Sequence, residues 1–126
     1  MYPVPVFMYH HINPHKGDMV TISPDVFEAQ MRFLKEAGYR TLGADELVEF
    51  AAGNLVIREK ALAITFDDGY IDNYRYAFPV FKKYNIRATI FIVTDWVEAA
   101  SDKVRSQGLP PKYLSGESGV RSKEIP

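Results

Sequence analysis

Apolar residues along this chain fall into short solid runs separated by stretches with a helical stripe. Residues 4–9 form an apolar run broken only by Pro5, and they predict a first strand ending at His10. A polar loop, HINPHKGDM, leads to Ser23-Pro24-Asp25, which reads as a helix start: an N-cap hydroxyl, proline at the first helical position and an acid in the first turn. Phe27, Met31 and Leu34 recur at spacings of four and three and give that helix one apolar face, and Gly38 supplies its end. Residues 39–42 predict a short strand. Residues 44–52 predict a second helix with Leu47, Val48 and Ala51 turned inward and Gly53-Asn54 closing it. Residues 61–66 predict a buried strand. Across residues 71–84, Tyr74, Phe78 and Phe81 stand at helical spacing, and Pro79 implies a kink or a late helix start. The sequence ATIFIVT, residues 88–94, is the clearest strand, rich in β-branched and aromatic residues.

Strand and helix therefore alternate, which predicts an α/β fold with mainly parallel strands. In parallel sheets and barrels, functional residues gather beyond the carboxyl ends of the strands. Two polar groups fall there: His10-His11 after the first strand, and Asp67-Asp68 after the third. From residue 101 the texture changes. Residues 101–126 hold five Ser, three Gly and three Pro but only six apolar residues. They read as a loop or poorly ordered tail after a domain spanning residues 1–100.

Composition narrows the classes of function. With 126 residues, 47% apolar and 25% charged, the chain has material for one globular domain. Fifteen basic and 16 acidic residues leave a net charge of -1, which predicts no nucleic-acid partner. No run approaches the roughly 18 to 20 apolar residues of a membrane span. The absence of cysteine excludes disulfides and thiolate metal sites. MYPVPVFMYHH carries no basic leader or cleavage site, so the reading is a cytoplasmic protein or the mature part of an exported one, and localisation stays open.

The sequence ITFDDGY carries the most chemistry. Neighbouring acids repel, so a pair at a strand end calls for a partner, solvent or a cation. The plain reading makes Asp67 a helix cap and Asp68 a solvated surface acid. The functional reading has one carboxylate hold a cation while the other serves as general base, with Gly69 letting the backbone turn between their tasks. Of His10 and His11, strand alternation directs one towards the core face and one away, so one of the two belongs in a shared site. His15 lies in the polar loop and reads as a surface residue. Tyr70, Tyr74, Tyr76, Phe78 and Trp96 are divided between core packing and flanking a cleft, where aromatic faces suit sugar rings.

TFDDGY after an apolar strand, with MYHHI upstream and ATIFIVTDWV downstream, resembles the polysaccharide deacetylase family, the NodB-homology domain. YHHI places it nearest the poly-N-acetylglucosamine deacetylase branch. The resemblance covers about residues 4–97. It implies the N-terminal part of a distorted (β/α) barrel and removal of acetyl groups from N-acetylglucosamine-containing polysaccharides or oligosaccharides with a divalent metal, usually zinc. By position it implies Asp67 as catalytic base, Asp68 as metal ligand and His10 as the general acid for the departing amine. Tyr70 and His11 are the substrate-binding candidates. Family members often act in the periplasm or outside the cell.

The chain departs from that pattern in one respect. The family's metal site draws two more histidines from a later strand, whereas the three histidines here are at positions 10, 11 and 15. The chain accordingly reads as a truncated N-terminal piece with an incomplete zinc site. Two alternatives compete with the deacetylase. One is a catalytically inactive half-barrel that binds carbohydrate or another partner. The other is a magnesium site for phosphoryl transfer, which lacks the expected phosphate-cradling glycine loop and lysine.

Overall fold

In the computed structural model, which describes residues 2–15 and 17–107, the strands and helices alternate as expected. The order is β1 (Val6–Tyr9), β2 (His11–Ile12), β3 (Thr21–Ile22), α1 (Pro24–Glu36), β4 (Arg40–Leu42), α2 (Ala44–Ala51), β5 (Ala61–Asp68), a π-helical turn (Asn73–Ala77), α3 (Phe78–Tyr84), β6 (Thr89–Ile92) and α4 (Thr94–Ser106). All strand pairs are parallel. β5 is the hub, because β1, β4 and β6 all bond to it. Ala63 faces both Val6 and Leu42, while Thr65 faces both Met8 and Thr89, so β1 takes one edge and β4 and β6 share the other in tandem. The small β2–β3 pair was not foreseen. β2 opens the stretch read as a polar loop and β3 follows just after it, with His11 opposite Thr21.

The larger of two core clusters holds the sheet to α1 and α3. Leu62, Ile64 and Phe66 alternate along β5 and pack with Tyr9, Ile12, Phe27, Met31, Leu34, Ala77 and Val80. Phe27 lies edge-on to Tyr9 at 5.3 Å and to Phe81 at 5.6 Å, an arrangement aromatic rings favour. The α1 stripe is buried as the spacing predicts, and Ser23 caps the helix by accepting from the Val26 N–H at 3.3 Å. Gly38 follows at φ +79°, a conformation that suits glycine.

Three expectations need correction. In α2, Val48 and Ala51 are exposed, and Phe50 instead packs against Leu42, Ile57 and Ala61. A short helix over a small cluster is oriented by its largest side chain rather than by the count of apolar positions. After the acid motif, Tyr74 and Phe78 stack on each other at 5.4 Å and are exposed, and the inward stripe is Asn73, Ala77 and Val80. Pro79 has no N–H for the Arg75 carbonyl and its ring crowds that group, and the chain ahead of it widens so that the Phe78 N–H reaches the Asn73 carbonyl. Finally, α4 runs to Ser106, so residues 101–106 are helical rather than tail. The expectation for residues 108–126 lies outside the described residues.

Candidate active site

The apolar run of β5 continues into its acids, so Asp67 and Asp68 are its last two residues, at the carboxyl end of the central strand. β1 runs alongside in the same direction with Tyr9 opposite Phe66. The next residue, His10, therefore reaches the same rim, and its Nε2 lies 3.7 Å from Asp67 Oδ2. That is longer than a hydrogen bond but close enough for the carboxylate to attract an imidazolium. Both side chains keep some access to solvent.

Asp68 sits at φ +80° and Gly69 at φ +71°. The turn expected at Gly69 is thus shared with the residue before it. Asp is among the non-glycine residues that best tolerate this region, at a cost on the order of 1 kcal/mol. Asp68 nevertheless stays in the ladder, opposite Ile92 of β6. Gly69 also lets β6 approach, since a Cβ there would meet Ile92 Cγ2 at 3.0 Å. Tyr70 follows, its hydroxyl proton held above the usual range by burial and then by the Asp68 carboxylate that accepts it. The Tyr70 ring stacks on His11 at 3.8 Å and lies 6.1 Å from the Trp96 ring.

His11 faces elsewhere. Its Nδ1 is 2.7 Å from Asp72 Oδ2, and a carboxylate can only accept, so this contact places the proton on Nδ1. Asp72 is 2% exposed and also accepts from Asn13 Nδ2 at 3.0 Å and Asn73 Nδ2 at 3.1 Å. Asn73 Nδ2 donates as well to the His10 carbonyl at 2.9 Å. Sequence reasoning missed Asp72 and Asn73. The available signal was the spacing of Asn73 with Ala77 and Val80, which puts an amide on the inward face of a helix. His15 is exposed and takes no part in the rim, its backbone N–H donating to Asn13 Oδ1.

The donor set does not complete a zinc site. A catalytic zinc takes three protein ligands. Among the described residues no group of three or more His, Cys, Asp or Glu is gathered to hold a metal ion. Asp68 offers one carboxylate, His10 stands against Asp67, and the Nδ1 of His11 is committed to Asp72. Among the described residues no helix is long and apolar enough to cross a membrane.

Residues 56–108 match the family model described as polysaccharide deacetylase. The chain is 42% identical over 90 residues to the putative polysaccharide deacetylase YxkH of Bacillus subtilis, a match covering 71% of this chain and 32% of that protein. It is 28% identical over 97 residues to the poly-β-1,6-N-acetyl-D-glucosamine N-deacetylase of Escherichia coli K12, covering 75% of this chain and 14% of that one. Among solved structures, the Streptococcus pyogenes deacetylase PplD in complex with acetate superposes with a TM-score of 0.71 at 32% identity, over 76% of this chain and 45% of the other. The chain thus spans about a third of the B. subtilis relative. Its parallel α/β arrangement matches part of the fold of NodB-like deacetylases. Over its N-terminal part, the chain belongs to the polysaccharide deacetylase family.

Proposed function

We propose that this chain carries the acid–base half of an N-deacetylase acting on polysaccharide that contains N-acetylglucosamine. The observation supporting it is the 3.7 Å approach of His10 to Asp67 at the carboxyl rim, in the TFDDGY context. Asp67 takes a proton from water while the water oxygen bonds to the acetamide carbonyl carbon. The tetrahedral intermediate then collapses, His10 gives its proton to the nitrogen, and the C–N bond breaks to leave acetate and a free amine. The name of the E. coli relative supports an N-acetylglucosamine polymer as substrate. Asp68 is assigned as one ligand of a divalent metal, zinc, whose other ligands the histidines of this chain do not supply. No step above passes through that metal. Tyr70, beside Trp96, is assigned to the sugar, with His11 bracing its ring.

The test joins residues 1–97 to the remaining C-terminal part of the B. subtilis relative and measures acetate release from N-acetylglucosamine oligomers. The chimera should turn over, and Asp67→Asn should lower the rate by about two to four orders of magnitude with metal content retained. Asp68→Asn should lower both rate and metal content. A chimera that is active but indifferent to Asp67→Asn would sink the assignment. The 126-residue chain alone should release no acetate above background. A second reading, a non-catalytic carbohydrate-binding module, is favoured by the absence of histidine after position 15. It requires the short chain to bind the oligomers and the chimera to stay inactive.

A further inference from the structure

Asp72 is an acid with almost no exposure, and an isolated buried carboxylate is costly unless donors surround it. Its donors come from His11 and Asn13, more than fifty residues away in sequence, and from its neighbour Asn73. Asn73 in turn reaches the backbone carbonyl of His10. Two adjacent residues thus grip the segment 10–13 at three points: a carbonyl, a ring and an amide. The orientation of the Asn73 amide is fixed by its neighbours, because the His10 carbonyl and the Asp72 carboxylate both require a donor. Its Oδ1 is then left buried with no hydrogen-bond partner among the described residues. An unpaired buried acceptor costs about 1–3 kcal/mol. As a device for stability alone this is a poor choice, since an apolar residue would fill the same inward position beside Ala77 and Val80. The pair also stands where the helix widens into its π-turn, a distortion found frequently at functional sites.

We infer that Asp72 and Asn73 are positioning residues that divide the work of the two histidines. Asp72 engages the His11 ring and withholds it from the acid pair, and Asn73 pins the His10 carbonyl so that the His10 ring alone meets Asp67. With His11 tied down, the Tyr70 ring stacked on it is held too, so the grip reaches the residue two positions after Asp68. The inference deepens the deacetylase reading and rests on it for the meaning of His10, but its first test does not depend on turnover.

That test is ring-nitrogen NMR on the 126-residue chain with labelled histidine. In the unsubstituted chain, His11 should show one tautomer with the proton on Nδ1, and Asp67→Asn should shift the His10 ring signals. In Asp72→Asn the single His11 tautomer should give way to a mixture. In both Asp72→Asn and Asn73→Ser, adding Asp67→Asn should no longer shift His10. Ile57→Val, a core change away from the rim, should lower stability yet leave the His10 response intact. A His10 response that persists in both rim variants would overturn the inference. So would unfolding of both under conditions where Ile57→Val stays folded, which would make the pair a determinant of the fold. In the chimera, Asp72→Asn should lower kcat by about a hundredfold with KM within about twofold. A raised KM at unchanged kcat would also overturn it. If Asp67→Asn leaves chimera turnover untouched, the deacetylase reading fails while the NMR result still decides the positioning role.

Discussion

The central strand and the strands flanking it are built from the same kinds of residue and meet opposite fates. From Ala61 to Phe66, every residue of β5 is buried. On β1, Val6, Phe7 and Met8 are exposed at 51%, 38% and 62%, and on β6, Ile90, Phe91 and Ile92 lie between 46% and 57%. VFMY and TIFI are as apolar as ALAITF. Apolar β-branched and aromatic content therefore marks a strand, while burial depends on how many neighbours that strand has. β5 has partners along both edges, and among the described residues β1 and β6 each pair only with β5 in this sheet. A row of apolar side chains on an edge strand is unusual for a stand-alone domain. The relatives, which extend well beyond the matched region, have additional chain with which to cover such rows.

This contrast can be broken most sharply at two phenylalanines. Phe66→Ala, in the centre of the core, should cost about 3–5 kcal/mol in urea denaturation. Phe91→Ala, 57% exposed on β6, should cost less than about 1 kcal/mol. Equal costs would mean that β6 is covered in solution. In the chimera with the B. subtilis C-terminal part, the cost of Phe91→Ala should rise by about 2 kcal/mol, because the same side chain would then leave a cavity rather than a surface.

Tyr9 tests the comparison within one strand, as the single buried residue of β1. Its hydroxyl donates to Gln30 Oε1 at 2.7 Å, and Tyr9→Phe should cost about 1 kcal/mol at neutral pH. Burial pushes its pKa above the ordinary tyrosine value of about 10. Above that pH the unfolded chain ionises first, so stability is complete below it and declines as pH rises towards the folded value. The alkaline decline in melting temperature should be shallower in Tyr9→Phe than in the unsubstituted chain. The smallest effect belongs to Met8→Ala, expected within about 0.5 kcal/mol in the short chain.

Much of this was legible before the structure. Ser23, Pro24, Phe27, Met31, Leu34 and Gly38 specify α1 through local rules, and the alternation of elements specifies a parallel sheet. The rim shared by His10 and Asp67 followed from where two apolar runs stop. The inward face of α2 is harder to read because five of its eight residues are apolar, more than one narrow stripe holds, and Phe50 decides it by bulk. Asp72 and Asn73 were invisible for another reason. Their partners are His10, His11 and Asn13, and no local pattern in either segment announces a bond across sixty residues. The positive φ of Asp68 was concealed by the glycine beside it, which offered a sufficient explanation of the turn.

Parity along β5 ties the site to the core. Side chains of a strand alternate, so a slip of one residue exchanges its two faces. Phe66 is drawn inward with Leu62 and Ile64, and Asp67 is thereby aimed the other way, beside the residue that follows Tyr9. Any register that exposed Asp67 to the helices would also expel Phe66, and the apolar loss would reject it. The acid need contribute nothing to its own placement. Whatever side chain stands at position 67 is delivered to the same point, and it can be exchanged on this strand without the fold registering the difference.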